Sequence, residues 1–154
     1  MQRYPASIDR ERVLATLERG PVFTMWCSDG DSTIFQMDRG FHGGVDFTWE
    51  GVQGNRFGWT INPTLVDLAP VVWNDYVATR REVSLVSGFS GGGYAYPALM
   101  SAAQLSTYLT RTAQYLTDTG LRVLHVDNRF GAQLHTMGSD MANQYYSALS
   151  DAAP

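Results

Sequence analysis

The stretch EVSLVSGFSGGGYAYP, residues 82–97, and the amphipathic stretch that follows it, residues 98–119, decide the fold. The first six residues, EVSLVS, are rich in strand formers and predict a short buried strand. After the glycine-rich turn, Leu105, Leu109 and Leu116 recur at helical spacing and predict a helix with one apolar face. A strand, a turn and a helix in this order predict one βα unit of a parallel sheet.

The same alternation extends in both directions along the chain. Apolar runs predict further strands at residues 21–27 (PVFTMWC), 56–61 (RFGWTI) and 121–126 (LRVLHV). Periodic stretches predict a helix from about Ser7, one after residue 62 that Pro70 kinks or divides, and one over residues 139–150. Four βα units predict an α/β fold with a parallel sheet, as half of an eight-unit barrel or a partial barrel. An open doubly wound sheet is the other arrangement.

Composition narrows the classes of partner. The chain has 154 residues and a net charge of −4, and every basic residue other than histidine is arginine. This balance gives no electrostatic support for binding nucleic acid or an anionic membrane. Cys27 is the only cysteine, so no intramolecular disulfide forms. No apolar run is long enough to span a membrane, the first residues lack the apolar core of a secretory signal, and no linker divides the single domain expected over residues 1–154.

Unusual polar residues follow each predicted strand. Ser-Asp-Gly-Asp occupies residues 28–31, Asn62 follows the second strand, a glycine-rich turn over residues 88–97 follows the third, and Asp127 and Asn128 follow the fourth. Ligands bind at the carboxyl ends of parallel strands in both barrels and doubly wound sheets. The sequence therefore predicts a site at this end of the sheet.

Each element also has an ordinary structural interpretation. Ser-Asp-Gly-Asp is a common turn composition, and Trp59 in the middle of a strand is compatible with the core. The run Gly91 to Gly93 is costly to order, so it predicts either a close backbone approach to a ligand or a special turn. No nucleotide-binding glycine motif is present, and the three histidines have no spacing typical of a metal site. A metal held by Asp29, Asp31 and a distant histidine stays open, and no cofactor is expected.

Residues 88–92 also fit the G-x-S-x-G pattern of a nucleophile elbow, with Asp127 and His135 following in the order serine, acid, histidine. In an elbow the helix begins at the serine. Here glycine-rich residues separate Ser90 from the predicted helix start near residue 98, which argues against a catalytic serine.

Three motifs together resemble one known family. Residues 91–97, GGGYAYP, match all five fixed positions of the signature that names the GxGYxYP family. Residues 28–31, SDGD, resemble that family's Ser-Asp-Gly-Asp-Asn stretch, and residues 58–63, GWTINP, resemble its Gly-Trp-Thr-Ile-Ser-Pro segment. The motifs come in the family's order. Ser32 stands where the family tends to have asparagine, and Phe89 stands in place of a frequent proline.

The resemblance implies a carbohydrate-active hydrolase, in the carboxyl-terminal, catalytic-like domain of longer proteins. We therefore expect a partial domain whose exposed sheet edge is covered by a second copy or by the remainder of a parent chain. If the family is secreted or periplasmic, the signal belongs to that parent chain.

Glycoside hydrolysis generally needs two carboxyl groups across the scissile bond. The candidates on the predicted face are Asp29, Asp31 and Asp127. Residues expected to contact the sugar by stacking or hydrogen bonding are Trp59, Asn62, Ser90, Gly92, Gly93, Tyr94, Tyr96 and Asn128. Two alternatives keep the fold: metal-assisted removal of an acyl group from a sugar, and carbohydrate binding without turnover.

Overall fold

A computed structural model of the chain describes residues 3, 10–20, 26–27, 33, 37, 58–79, 84–127, 129–130, 133–134 and 137–152. Its helices are α1 (Arg10–Leu17), α2 (Leu65–Leu68), α3 (Pro70–Thr79), a 3-10 turn (Pro97–Leu99), α4 (Ala102–Thr119) and α5 (Ser139–Leu149). Its strands are β1 (Trp26–Cys27), β2 (Gly58–Ile61), β3 (Ser84–Ser87), β4 (Arg129–Phe130) and β5 (Gln133–Leu134).

The main sheet is parallel and has the strand order β1-β2-β3. The predicted fourth strand lies next to β3, where Leu124 forms a single parallel bridge with Ser87. The Ser87 amide donates to the Val123 carbonyl at 2.8 Å, and the His125 amide donates to the Ser87 carbonyl at 2.8 Å. Successive segments are therefore neighbours in the sheet, which confirms the predicted α/β alternation with parallel pairing.

The two faces of the sheet differ in what covers them. Trp59, Ile61 and Leu85 belong to the apolar core, together with residues of the helices that pack on that face. Thr60 is equally buried but points to the other face, as the alternation along a strand requires. The largest core contributions come from rings and leucines, each worth about 1.5–3 kcal/mol on burial. The core residues of α3, α4 and α5 are Trp73, Tyr76, Val77, Leu105, Leu109, Leu116, Tyr145 and Leu149.

Helix α4 begins later than its apolar pattern predicts. Ser101 is the N-cap, and its side chain accepts from the Gln104 amide while the Gln104 side chain accepts from the Ser101 amide. This capping box satisfies two of the free amides of the first turn and sets the start at Ala102 instead of residue 98. Gly120 ends the helix in the left-handed conformation, as predicted.

Pro70 is the first residue of α3, so of the two outcomes expected there it divides the helical stretch and does not kink it. Strands β4 and β5 form an antiparallel hairpin that no sequence pattern indicated. The predicted cap Ser7 and residues 21–25 of the first strand lie outside the described residues.

None of the helices in the described ranges combines the length and the hydropathy needed to cross a bilayer.

Candidate functional site

The carboxyl end of β3 is joined directly to the end of the fourth extended segment. The Ser90 hydroxyl donates to the Asp127 carbonyl at 2.9 Å and accepts from the Asp127 amide at 3.1 Å. The Ser90 amide donates to the His125 carbonyl at 2.7 Å, and the Tyr145 hydroxyl donates to the Ser90 carbonyl at 3.0 Å. Ser90 therefore connects β3, the segment before Asp127 and helix α5.

This arrangement gives Ser90 a structural role. The side chain is fully buried, at 0% exposure, and its hydroxyl both donates and accepts within the backbone pairing to Asp127. A catalytic serine needs an accessible oxygen next to a base, so this burial agrees with the sequence argument against an elbow nucleophile. The Ser90 hydroxyl fixes the position of Asp127. His135, the third member of that hypothetical triad, lies outside the described residues.

The glycine run is shaped by helix α4. Gly91 has φ +139°, and a Cβ there would collide with the side chain of Thr112. The Gly92 amide donates to Thr112 Oγ1 at 3.0 Å, and the Tyr108 hydroxyl donates to the Gly93 carbonyl at 2.7 Å. The close approach expected at these glycines is therefore an approach to the helix. The Gly92 amide and the Gly93 carbonyl, which belong to two predicted substrate contacts, are therefore bonded to α4.

Two buried tyrosine hydroxyls hold this turn in place. Tyr108 and Tyr145 donate to backbone carbonyls of the turn, at Gly93 and Ser90. Burial raises the pKa of the Tyr108 hydroxyl far above its usual range, and the neighbouring Tyr145 adds to that shift. Burial also raises the pKa of the Tyr145 hydroxyl. Both phenols thus stay protonated and donating over the whole neutral range.

An aromatic cluster, defined here as Phe89, Tyr94, Tyr96 and His125, lies at the same end of the sheet. The Tyr94 ring stacks on Phe89 with centroids 4.6 Å apart, and the Tyr96 ring meets both of them edge to face. The two tyrosine hydroxyls are 2.8 Å apart, within hydrogen-bond distance. Phe89 is 8% exposed whereas Tyr94 is 55% exposed. The cluster therefore has a buried base and an exposed outer ring.

His125 belongs to this cluster although no sequence motif marks it. Its ring meets Phe89 edge to face, with centroids 5.5 Å apart. The signal that could have found it is alternation: Leu124 and Val126 pack on the core, so residue 125 points to the other face of the sheet. Phe89, the departure from the family's frequent proline, is the residue that joins His125 to the tyrosines.

Asn62 bonds residues on both sides of it in the chain. It is 4% exposed, and its Oδ1 accepts from the Thr64 amide at 3.0 Å and from the Thr64 hydroxyl at 2.7 Å. Its Nδ2 donates to Thr33 Oγ1 at 3.0 Å, which holds Thr33 at the end of β2. Asn62 is thus a positioning residue here, since its side chain bonds protein groups.

The remaining predicted residues divide into three groups. Trp59 is 3% exposed and packs within the helix-side core. Asp127 is half-buried and is held at the junction with Ser90. Asp29, Asp31 and Asn128 lie outside the described residues. Among the residues that are described, no three His, Cys, Asp or Glu side chains are grouped so that they could hold a metal ion.

Comparison with known proteins identifies the family. The model of the "GxGYxYP putative glycoside hydrolase C-terminal domain" matches residues 22–153. A solved structure of a "putative hydrolase" from Bacteroides thetaiotaomicron VPI-5482 is similar, with 26% sequence identity and a TM-score of 0.56. The similarity covers 81% of this chain and 23% of that one, so the chain spans about a quarter of the length of that hydrolase. No curated protein matches the chain. Because the family model covers most of its length, the chain belongs to the GxGYxYP family, in the carboxyl-terminal domain.

Proposed function

We propose that the carboxyl ends of the parallel strands in this chain form part of a glycoside hydrolase site. In this site the aromatic cluster binds a sugar ring beside a catalytic aspartate. One observation carries the proposal: Tyr94, exposed and stacked on Phe89, lies in the same strand-end assembly as Asp127, through Ser90 and His125. We further propose that the three strands and the fourth segment, which follow each other in one direction, are part of a (β/α) barrel.

The cluster has the construction of a sugar-stacking platform. One face of Tyr94 rests on the buried Phe89 ring, which fixes its orientation, while its side chain is 55% exposed. An aromatic ring held in this way provides a large apolar surface with little loss of conformational freedom on binding. The paired hydroxyls of Tyr94 and Tyr96 provide polar groups at the edge of that surface.

Catalysis in this proposal uses two of Asp29, Asp31 and Asp127. One carboxyl group protonates the glycosidic oxygen, and the other attacks the anomeric carbon or activates a water. Separations of about 5–5.5 Å between the two carboxyls indicate retention of configuration, and about 6.5–9.5 Å indicate inversion. The Asn62–Thr33 bond supports the proposal because Thr33, two residues after Asp31 in the chain, lies at the end of β2.

The test measures the release of reducing ends from a panel of plant and bacterial polysaccharides. Among Asp29→Asn, Asp31→Asn and Asp127→Asn, we expect the two variants that remove the catalytic pair to lower turnover by several orders of magnitude, with the melting temperature nearly unchanged. Asp140→Asn, at an exposed position in the first turn of α5, is the matched control. Full activity in all three aspartate variants would overturn the catalytic assignment. Loss of turnover with a chelator, and its recovery with a divalent metal, would instead favour metal-assisted deacylation.

A second candidate function is carbohydrate binding without turnover. It is favoured by the share of the Bacteroides hydrolase that the chain covers, 23%, because the rest of a complete site could lie on other segments. Saccharide binding that depends on Tyr94 but yields no product would support this candidate. Tyr94→Ala is the variant to compare with Tyr146→Ala, which removes a similarly exposed ring from α5.

A further inference from the structure

We propose that a groove on the outer face of α4 is a second saccharide site, one that takes a carboxylate-bearing sugar. The groove has a volume of about 670 Å³ and is lined by α4 and by Gly92 of the signature turn. That volume is within the range of about 300–1,000 Å³ typical of small-ligand sites. The proposal does not depend on the hydrolase function, since it uses none of the residues placed in the strand-end assembly except the backbone at Gly92.

Helical spacing gathers the lining side chains. Gln104, Thr107, Arg111 and Tyr115 are separated by three or four residues, so they form one stripe along the 18-residue helix. Gly92 closes the groove beside Tyr115, where a Cβ would come within 2.9 Å of Tyr115 Cδ2. A side chain at residue 92 would therefore displace the ring that forms one wall.

Arg111 gives the groove its charge. It is exposed, and it makes no hydrogen bond or ion pair with the part of the chain that the structure describes. It is also the only charged residue among the described residues that line the groove. A guanidinium presents a planar fork of donors that matches a carboxylate in a two-point contact. An anionic group on the ligand would complete a site that the protein leaves open.

Tyr115 is a fixed ring next to that charge. Its hydroxyl donates to Asp67 Oδ2 at 2.7 Å, a bond that raises the pKa of the phenol and holds the ring in place. Asp67 and Asp118 act on the hydroxyl, but neither carboxylate lines the groove. The ring and the guanidinium thus offer stacking and charge to the same ligand.

The other polar groups favour a ligand rich in oxygen acceptors. Gln104 Oε1 already accepts from the Ser101 amide. The two hydrogens on the Nε2 atom of its side-chain amide are the donors that it can offer to a ligand. Thr107 donates its hydroxyl hydrogen to the Ala103 carbonyl at 3.1 Å and can only accept further bonds. Donors from Gln104 and Arg111, an acceptor at Thr107 and a ring at Tyr115 suit the carboxylate, hydroxyls and apolar face of a uronic acid.

The experiment titrates the 15N-labelled chain with glucuronate and follows the amide shifts of α4, with glucose as the neutral counterpart and acetate as the bare anion. We expect glucuronate to bind, and binding to weaken as salt is raised. Arg111→Gln should weaken it about tenfold or more, the usual loss for a hydrogen-bonded charge. Arg19→Gln, an exposed arginine outside the groove, should leave it unchanged. Tyr115→Phe should retain binding and Tyr115→Ala should lose it, with circular dichroism reporting the fold of each.

The proposal is overturned if the Arg111→Gln variant binds glucuronate as tightly as the unsubstituted chain does. It is also overturned if glucose binds equally well, since the charge then has no role, or if acetate binds equally well, since the ring then has none. These outcomes leave the hydrolase proposal untouched, because reducing-end release and the aspartate variants are measured separately.

Discussion

Ser90 and Asp127, 37 residues apart, are paired through one side-chain hydroxyl that bonds both the amide and the carbonyl of Asp127. The hydroxyl does here what a backbone group does inside the sheet, so the parallel pairing continues past the end of β3. In this way the third and fourth strand ends are held at a fixed separation. A sugar bound at Tyr94 would meet Asp127 in one geometry.

Ser90→Ala tests this pairing. It removes the two hydrogen bonds from the Ser90 hydroxyl to the half-buried Asp127, so we expect a loss of about 2–3 kcal/mol in the free energy of unfolding. Urea denaturation measures the loss. Ser106→Ala, at an exposed position of α4, is the control and should change stability little. Equal stability of the two variants would show that the pairing contributes nothing.

Gly91→Ala and Gly93→Ala separate backbone strain from steric collision. Both glycines have positive φ, +139° and +130°, but a Cβ at Gly91 meets Thr112 whereas a Cβ at Gly93 meets nothing within 4 Å. We expect Gly93→Ala to cost about 1–2 kcal/mol from the backbone conformation. Gly91→Ala should cost more by about 1–3 kcal/mol, because of overpacking against α4. Thermal unfolding of the two variants measures both losses of stability. If Gly93→Ala and Gly91→Ala lose the same amount, the expected steric contribution at Gly91 is absent.

Tyr145→Phe changes how stability depends on pH. Burial raises the folded-state pKa of Tyr145, so its contribution is fully present below the unfolded value of about 10 and is lost as pH rises beyond it. The phenylalanine variant should be less stable at pH 7 by about 1 kcal/mol, through loss of the bond to Ser90. Its stability should also fall less steeply above pH 10. The control is Tyr146→Phe, at a side chain that is 75% exposed. In denaturation at pH 7 and above pH 10 it should be as stable as the unsubstituted chain.

Association through the fourth segment is the fourth prediction. Within the described residues this segment pairs only with β3, and Val123 on it is 52% exposed. The edge of a partial sheet favours pairing with another chain, so we expect the isolated chain to dimerise at micromolar concentration. Light scattering after size exclusion measures the mass. Val123→Lys should shift the chain toward the monomer. The control is Val71→Lys in α3, at a side chain that is 79% exposed, and it should leave the mass unchanged. If the unsubstituted chain is a monomer that melts cooperatively, the prediction is wrong.

Periodicity predicted the elements better than their ends. Strands β2 and β3 and helix α4 arise from apolar runs long enough to show a period, and the structure confirms them. The start of α4 was missed, although the Ser101–Gln104 capping box is visible in the sequence. Hairpin β4–β5 has two residues per strand, too few for any alternation to be recognised.

The site was harder to predict because its contacts are between distant segments. Trp59 and Ile61 share a period of two, but the sequence does not reveal which face of β2 the helices cover, so it left Trp59 between the core and the site. Ser90 looked like a sugar contact because its partner is 37 residues away and no local signal marks it. The position of the turn at the strand end was right, because topology alone determines it.

The contacts of the glycine turn with α4 have a consequence for protein engineering. Gly91 leaves room for Thr112, Gly92 donates to Thr112, and Gly93 accepts from Tyr108. The transferable module is therefore the loop together with the middle turns of its helix, and not the seven-residue signature by itself. A GGGYAYP loop grafted onto another βα unit without a threonine and a tyrosine at the matching helix positions would lose the support that orients its tyrosines.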